Sequence, residues 1–155
     1  MNEQENLKIP SVIEKILSET TKIGFRMTSE PLTGSLLRTL AASKPAGNFL
    51  ELGTGTGVST AWLLSGMDAH SKLITIENDK EVFSIAQKYL GDDQRLSLYV
   101  EDAEIFLTRI EKMAQQLDLI FADTWAGKYV HLDAALHVLK PGGLYIIDDM
   151  LPRLT

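Results

Sequence analysis

A doubly wound α/β fold with a mostly parallel sheet is the architecture this sequence predicts, on three observations. Five short apolar runs, NFLELG, KLITIE, RLSLYV, LDLIFAD and GLYIID, have the length of strands. Four helical segments alternate with them, which is the order of a parallel sheet covered on both faces. The first run ends in a glycine-rich turn that opens directly into a helix, and right-handed crossovers place ligands outside the carboxyl ends of the strands.

Two helices precede the first strand. Pro10 opens a stretch in which Val12, Ile13, Ile16, Leu17 and Ile23 recur at helical spacing. Ser29 and Pro31 start a second helix, with Leu32, Leu36, Leu37 and Leu40 on one face, and the stretch from Lys44 to Gly47 ends it. The crossover helices are expected at Val58 to Leu64, Asp79 to Leu90, Asp102 to Ala114 and Gly127 to Leu139, the last stopped by Lys140, Pro141 and Gly142. The joints are a few residues long and no repeat interrupts them, so one domain is expected. Residues 1–46 form its helical cap and residues 47–155 its ligand-binding core.

With 155 residues, 45% of them hydrophobic and 23% charged, the chain is large enough for one real core. A formal net charge of −6 without any run of basic residues disfavours nucleic acid as a partner. There is no cysteine, so neither a disulfide framework nor a thiolate zinc site is available. The polar start MNEQENLKIP lacks the layout of a signal peptide and no apolar run reaches membrane-spanning length, so a cytoplasmic protein without a membrane partner is expected. His70, His131 and His137 lack zinc-site spacing and are expected at the surface.

The most informative stretch is FLELGTGTGVSTAWL. Gly53, Gly55 and Gly57 permit positive φ and close backbone approach, and the helix that follows offers free N–H groups to a carboxylate or phosphate. A nicotinamide dinucleotide fingerprint would need G-x-G-x-x-G, whereas here the third glycine comes one residue early and Val58 takes its place. Glu51, two residues before the turn, repels a pyrophosphate and suits a cationic amino-acid group. Glu77 ends the second strand where an acid in this fold accepts ribose hydroxyls. Asp102 follows the third strand, where it serves as a helix N-cap or as an acceptor for an adenine amino group. Trp125, just past the fourth strand, is read as a wall stacking on adenine or substrate.

From about Met27 to Asp149 the sequence resembles the class I S-adenosylmethionine-dependent methyltransferases, whose fold is Rossmann-like, and more narrowly the small O-methyltransferases related to catechol O-methyltransferase. The resemblance implies that ELGTGTGVS wraps the methionine part of the cofactor through Glu51, Gly53, Gly55, Gly57 and Ser59. It implies Glu77 with Asn78 at the ribose, Asp102 with Ala103 at the adenine, Asp123 and Trp125 as further contacts, and Met27 with Thr28 in a segment closing over the cofactor.

FADTWAGKY and GGLYIIDDM resemble the two segments where that family places a divalent metal, which implies Asp123, Asp148 and Asp149 as ligands of Mg²⁺ or Ca²⁺. Such hard cations take carboxylate oxygens and lower the pKa of a bound hydroxyl. The family usually has Asp then Asn where this chain has Asp148 and Asp149, and Ala126 stands where it often has a catalytic lysine. Lys128, two residues on, is then the catalytic candidate alongside Asp123. The activity so implied is methylation of an oxygen on a small aromatic or polyhydroxylated acceptor, in a possible homodimer. The alternative is an S-adenosylmethionine-binding partner or regulatory subunit without catalysis, as the loss of the lysine at Ala126 would suit. The family's sheet continues through two more strands, the last antiparallel, so the core is expected to be truncated after the fifth strand or to have that strand's edge covered by a partner.

Overall fold

Every apolar run becomes a strand in the computed structural model, which describes residues 6–113 and 116–150. The order is α1 (Ser11–Lys22), α2 (Pro31–Ala42), β1 (Asn48–Leu52), α3 (Val58–Gly66), β2 (Lys72–Glu77), α4 (Lys80–Leu90), β3 (Leu96–Val100), α5 (Ala103–Ile110), β4 (Leu117–Ala122), α6 (Leu132–Val138) and β5 (Leu139–Ile147). The strands form one sheet in the order β3-β2-β1-β4-β5, and all four pairings are parallel. After β3 the chain crosses to the other side of β1, so β1 and β4 flank the topological switch point, where a crevice opens at their carboxyl ends.

Alternation along the strands divides the core in two. Phe49, Leu73, Leu119 and Phe121 face Ile13, Ile16, Leu37, Trp62, Leu63 and Ile85 on α1 to α4. Leu50, Leu52, Ile76 and Ile120 face Phe106 and Leu107 of α5 and Ala135 and Val138 of α6. The two N-terminal helices therefore belong to the layer over one face of the sheet. Helix α2 lies close against α3: a Cβ on Gly34 would sit 2.2 Å from the Trp62 indole, and one on Gly66 2.1 Å from the Arg38 carbonyl oxygen.

Three boundaries differ from the sequence reading. Helix α5 stops at Ile110, and Ala114, its expected end, lies outside the described residues. Helix α6 starts at Leu132 and not at Gly127, because residues 126–130 are drawn into a turn. The Trp125 carbonyl accepts from the N–H groups of Lys128 and Tyr129, Gly127 N–H donates to Val130 O at 2.7 Å, and the Tyr145 hydroxyl donates to Gly127 O at 2.5 Å. Lys140, Pro141 and Gly142 do not stop a helix but form an irregularity within β5, whose register against β4 jumps from Leu117↔Leu139 to Leu119↔Leu144. Lys140 spans it to Asp118 at 2.9 Å, and Lys44 donates to Gly142 O at 2.8 Å. The final LPRLT, where the chain was expected to fall short of its family's sheet, lies outside the described residues. No helix among the described residues is long and apolar enough to cross a membrane.

The tight α2–α3 approach gives a direct stability test. Gly34→Ala gains helix propensity but drives a methyl into the Trp62 ring, and overpacking outweighs propensity. A net loss of roughly 1–3 kcal/mol is expected, read as a lower Tm in thermal denaturation; an unchanged or raised Tm would refute the close contact.

Candidate active site

Glu51 sits on the penultimate residue of β1, its side chain on the face covered by α3, and it is fully buried. A carboxylate there must find its donors inside the protein. Ser59 Oγ and Thr60 Oγ1, from the first turn of α3, each donate to it at 2.5 Å, and Thr75 Oγ1 of β2 donates at 2.6 Å. Thr54 continues this chain, its hydroxyl 2.6 Å from that of Thr75. Thr56 joins the turn to α1 through the Thr20 hydroxyl at 2.9 Å. Burial pushes the Glu51 carboxyl up to about 7 despite the three hydroxyl donors, and the Asp123 charge adds in the same direction.

The turn above this carboxylate uses its glycines differently. At Gly53, φ is 100° and a Cβ would stand 2.9 Å from the Asp123 carbonyl oxygen, so only glycine lets the ends of β1 and β4 meet this closely. Gly55, at φ 54°, is the open position: a Cβ would meet only the Phe25 ring, at 3.5 Å. Phe25 thus packs beside the turn from the segment joining α1 to α2. Met27 is exposed and Thr28 half-buried in that same segment.

Glu77, at the end of β2, accepts from Gly55 N–H at 2.8 Å and from the N–H groups of Asn78 and Asp79 at 3.0 Å each. It connects the glycine turn to the loop after β2. Asp102 caps α5, accepting from Glu104 N–H at 2.8 Å and Ile105 N–H at 3.2 Å, with Ala103 as the first helical residue. Its capping role is therefore present in the fold, and a role toward adenine would be additional to it.

Asp123 follows β4 directly, its N–H donating to Leu52 O at 2.9 Å. Burial, reinforced by the charge of Asp148, raises its carboxyl to about 6, while the Lys128 charge acts in the opposite direction. Trp125 is 69% exposed and stacks on Tyr129 with ring centroids 4.8 Å apart, and Lys128 Nζ lies 5.7 Å from the Tyr129 ring. Of the three aspartates implied as metal ligands, Asp148 and Asp149 both act by their charge on Asp123, Asp148 accepts from Asp149 N–H at 2.8 Å, and Asp149 stands at φ 54°. No group of three or more His, Cys, Asp or Glu side chains among the described residues is arranged to hold a metal ion. All three histidines are exposed, and His131 Nε2 lies 3.4 Å from Glu104. A groove of about 270 Å³ lined by Pro10, Val12, Leu64, Tyr89 and Arg95 lies apart from this constellation and holds none of the candidate residues.

Sequence reasoning identified the acids and the glycines but not Thr60, Thr75, Thr20 or Phe25. A threonine's only local signal is its β-branching, and the pairing of these residues across 9 to 36 positions exists only in the folded chain.

Comparison with known proteins bears on the same residues. A family model described as a methyltransferase domain matches residues 50–150. A catechol O-methyltransferase from Niastella koreensis is 32% identical over 126 residues, which is 78% of this chain and 57% of that one. A second curated relative, from Mycolicibacterium vanbaalenii, is 34% identical over 76% of this chain and 53% of its own length. The chain thus spans little more than half the length of these curated relatives. Among solved structures, the O-methyltransferase from Bacillus cereus in complex with SAH aligns with a TM-score of 0.82 and 24% identity over 93% of this chain and 68% of that one. The O-methyltransferase TomG from Streptomyces achromogenes in complex with SAM also gives 0.82, at 23% identity, over 96% of this chain and 75% of that one. These two likenesses establish the fold.

The raised Glu51 carboxyl has a consequence for stability. The unfolded chain ionises this group above its ordinary 4.5, while the folded chain holds the proton to about 7, so stability is lost as pH rises between those values. Glu51→Gln removes that dependence. The stability difference, variant minus parent, should grow by about 1–3 kcal/mol from about pH 5 to about pH 8, measured by urea denaturation at each pH; a difference independent of pH would contradict it.

Proposed function

The chain belongs to the methyltransferase domain family, and from that premise we propose that it is an S-adenosylmethionine-dependent O-methyltransferase acting on a small aromatic or polyhydroxylated acceptor. The observation that carries the reading is the buried Glu51 carboxylate beneath a G-x-G-x-G turn at the switch point of the sheet. That arrangement places an ionisable acid under the turn, which favours a ligand with a cationic amino-acid end over a pyrophosphate.

When bound, S-adenosylmethionine supplies an electrophilic methyl group on a sulfonium centre. The chain's own residues bind, orient and accept a proton. The N–H groups at the start of α3 would hold the carboxylate of the amino-acid end, and Gly55 leaves space at the turn for its approach. Glu77 is placed to exchange its bonds from the neighbouring N–H groups for bonds from the ribose hydroxyls, with Asn78 beside it. Asp102 and Ala103 border the adenine side while α5 remains capped.

On the acceptor side, Trp125 and Tyr129 offer an exposed aromatic pair on which a planar acceptor stacks. Asp123 takes the proton of the acceptor hydroxyl. A carboxyl near 6 is ionised at neutral pH yet more basic than an ordinary aspartate, which suits a general base. The positive charge of Lys128 favours the ionised form. Among the described residues no three acidic or histidine side chains are already gathered to hold Mg²⁺ or Ca²⁺.

Two measurements test this reading. Calorimetric titration should show binding of S-adenosylmethionine and S-adenosylhomocysteine but not of NAD; retention of NAD alone would sink the assignment. In a methyl-transfer assay with a catechol-type acceptor, kcat should rise with pH as Asp123 ionises around 6, and Asp123→Asn should lower it by about 10²-fold or more. A pH-flat rate equal in both proteins would remove Asp123 from the chemistry.

A further inference from the structure

Glu51 is held by hydroxyls alone, and that choice of donor matters. A backbone N–H can only donate, so a cage of amides accepts an anion and strands a neutral acid. A hydroxyl donates and accepts, so Ser59, Thr60 and Thr75 can satisfy the carboxyl in either state by rotating one O–H bond. Thr54 extends the same hydroxyl chain to the glycine turn.

Among the described residues no cation acts on Glu51, the Lys128 charge acting on Asp123 instead. None of the ion pairs formed by the described residues includes Glu51. Helix α3 contains no titratable side chain. The strands beside β1 end in Glu77 and Asp123, both acidic, and the Glu19–Lys88 pair between α1 and α4 balances itself. The positive charge that would stabilise ionised Glu51 must then arrive with a ligand.

We propose that Glu51 couples cofactor binding to proton release: its carboxyl gives up a proton to solvent when the cationic ligand settles on the glycine turn. It regains the proton when the methyl group has left. The inference rests on the S-adenosylmethionine reading above. By its chemistry that ligand carries an ammonium, a sulfonium and one carboxylate, whereas the demethylated product has lost the sulfonium charge. The product therefore holds Glu51 ionised less strongly, and reprotonation favours its departure. Glu51 acts here as a positioning residue through charge, without touching the reacting atoms.

The test is isothermal titration calorimetry of the unmodified protein at about pH 6.5, where the ligand's own amine stays protonated. It is run in two buffers of different ionisation enthalpy. For S-adenosylmethionine the heat should differ between buffers by an amount equal to release of roughly half a proton or more, and by clearly less for S-adenosylhomocysteine. Glu51→Gln should bind without buffer dependence, while Asp123→Asn should keep it. As a reading that needs no variant, affinity of the parent for S-adenosylmethionine should rise about tenfold between pH 5.5 and 7. Binding with equal heats in both buffers, or buffer dependence that persists in Glu51→Gln, overturns the coupling and leaves the cofactor reading intact. Absence of binding by either S-adenosyl ligand overturns both.

Discussion

A carboxyl group withdrawn from water at the end of the central strand is the constraint around which this fold is arranged. Leaving Glu51 without donors would cost several kcal/mol, so its partners fix the geometry of everything nearby. Ser59 and Thr60 must lie in the first turn of α3, which sets where that helix starts. Thr75 must lie opposite on β2, and it does so in register, paired with Glu51 across the parallel ladder. One buried acid thus relates β1, β2 and α3, and the turn between β1 and α3 has only the path those anchors allow.

That path brings the backbone close to its neighbours, which explains why side chains are missing where they are. The end of β1 lies so near the Asp123 carbonyl that residue 53 has no room for a Cβ. The same closeness brings Glu51 within the field of Asp123, whose charge makes the buried Glu51 carboxyl harder to ionise. The glycine turn and the base candidate are therefore one electrostatic unit built on the β1–β4 pair. A cation bound at the turn eases the ionisation of Glu51.

The sequence made the sheet legible because each strand is a bounded apolar run and each helix start carries a local signal, as at Pro31 and the caps Asp79 and Asp102. The acids at strand ends were legible for the same reason, since a strand's length fixes where its carboxyl end falls. What was not legible depends on distant partners. In GKYVH only Gly127 argues locally against a helix, and it is the Tyr145 hydroxyl and the Val130 carbonyl that hold it in a turn and delay α6 to Leu132. Lys140, Pro141 and Gly142 look like a stop, but the Lys140–Asp118 pair and the Lys44 contact accommodate them within β5. The hydroxyl cage of Glu51 was hidden likewise, because threonine announces β-propensity rather than a hydrogen-bond partner.

The two halves of the site consequently differ in how they are specified. The half proposed for the cofactor is made of backbone approach, buried hydroxyls and strand-end acids, all fixed by the sheet. The acceptor half hangs on residues 124–130, a turn wound on the Trp125 carbonyl and tied to the sheet through the Tyr145 hydroxyl, with Trp125 and Tyr129 facing outward. Substitutions in this turn can alter the aromatic surface without disturbing Glu51 or the glycines, since they share no hydrogen bond with them among the described residues. Asp123 is the one group belonging to both halves: its backbone closes the glycine turn and its carboxyl is the base proposed above. A change of charge on Asp123 therefore reaches Glu51 through the field between them, without any hydrogen bond joining the two.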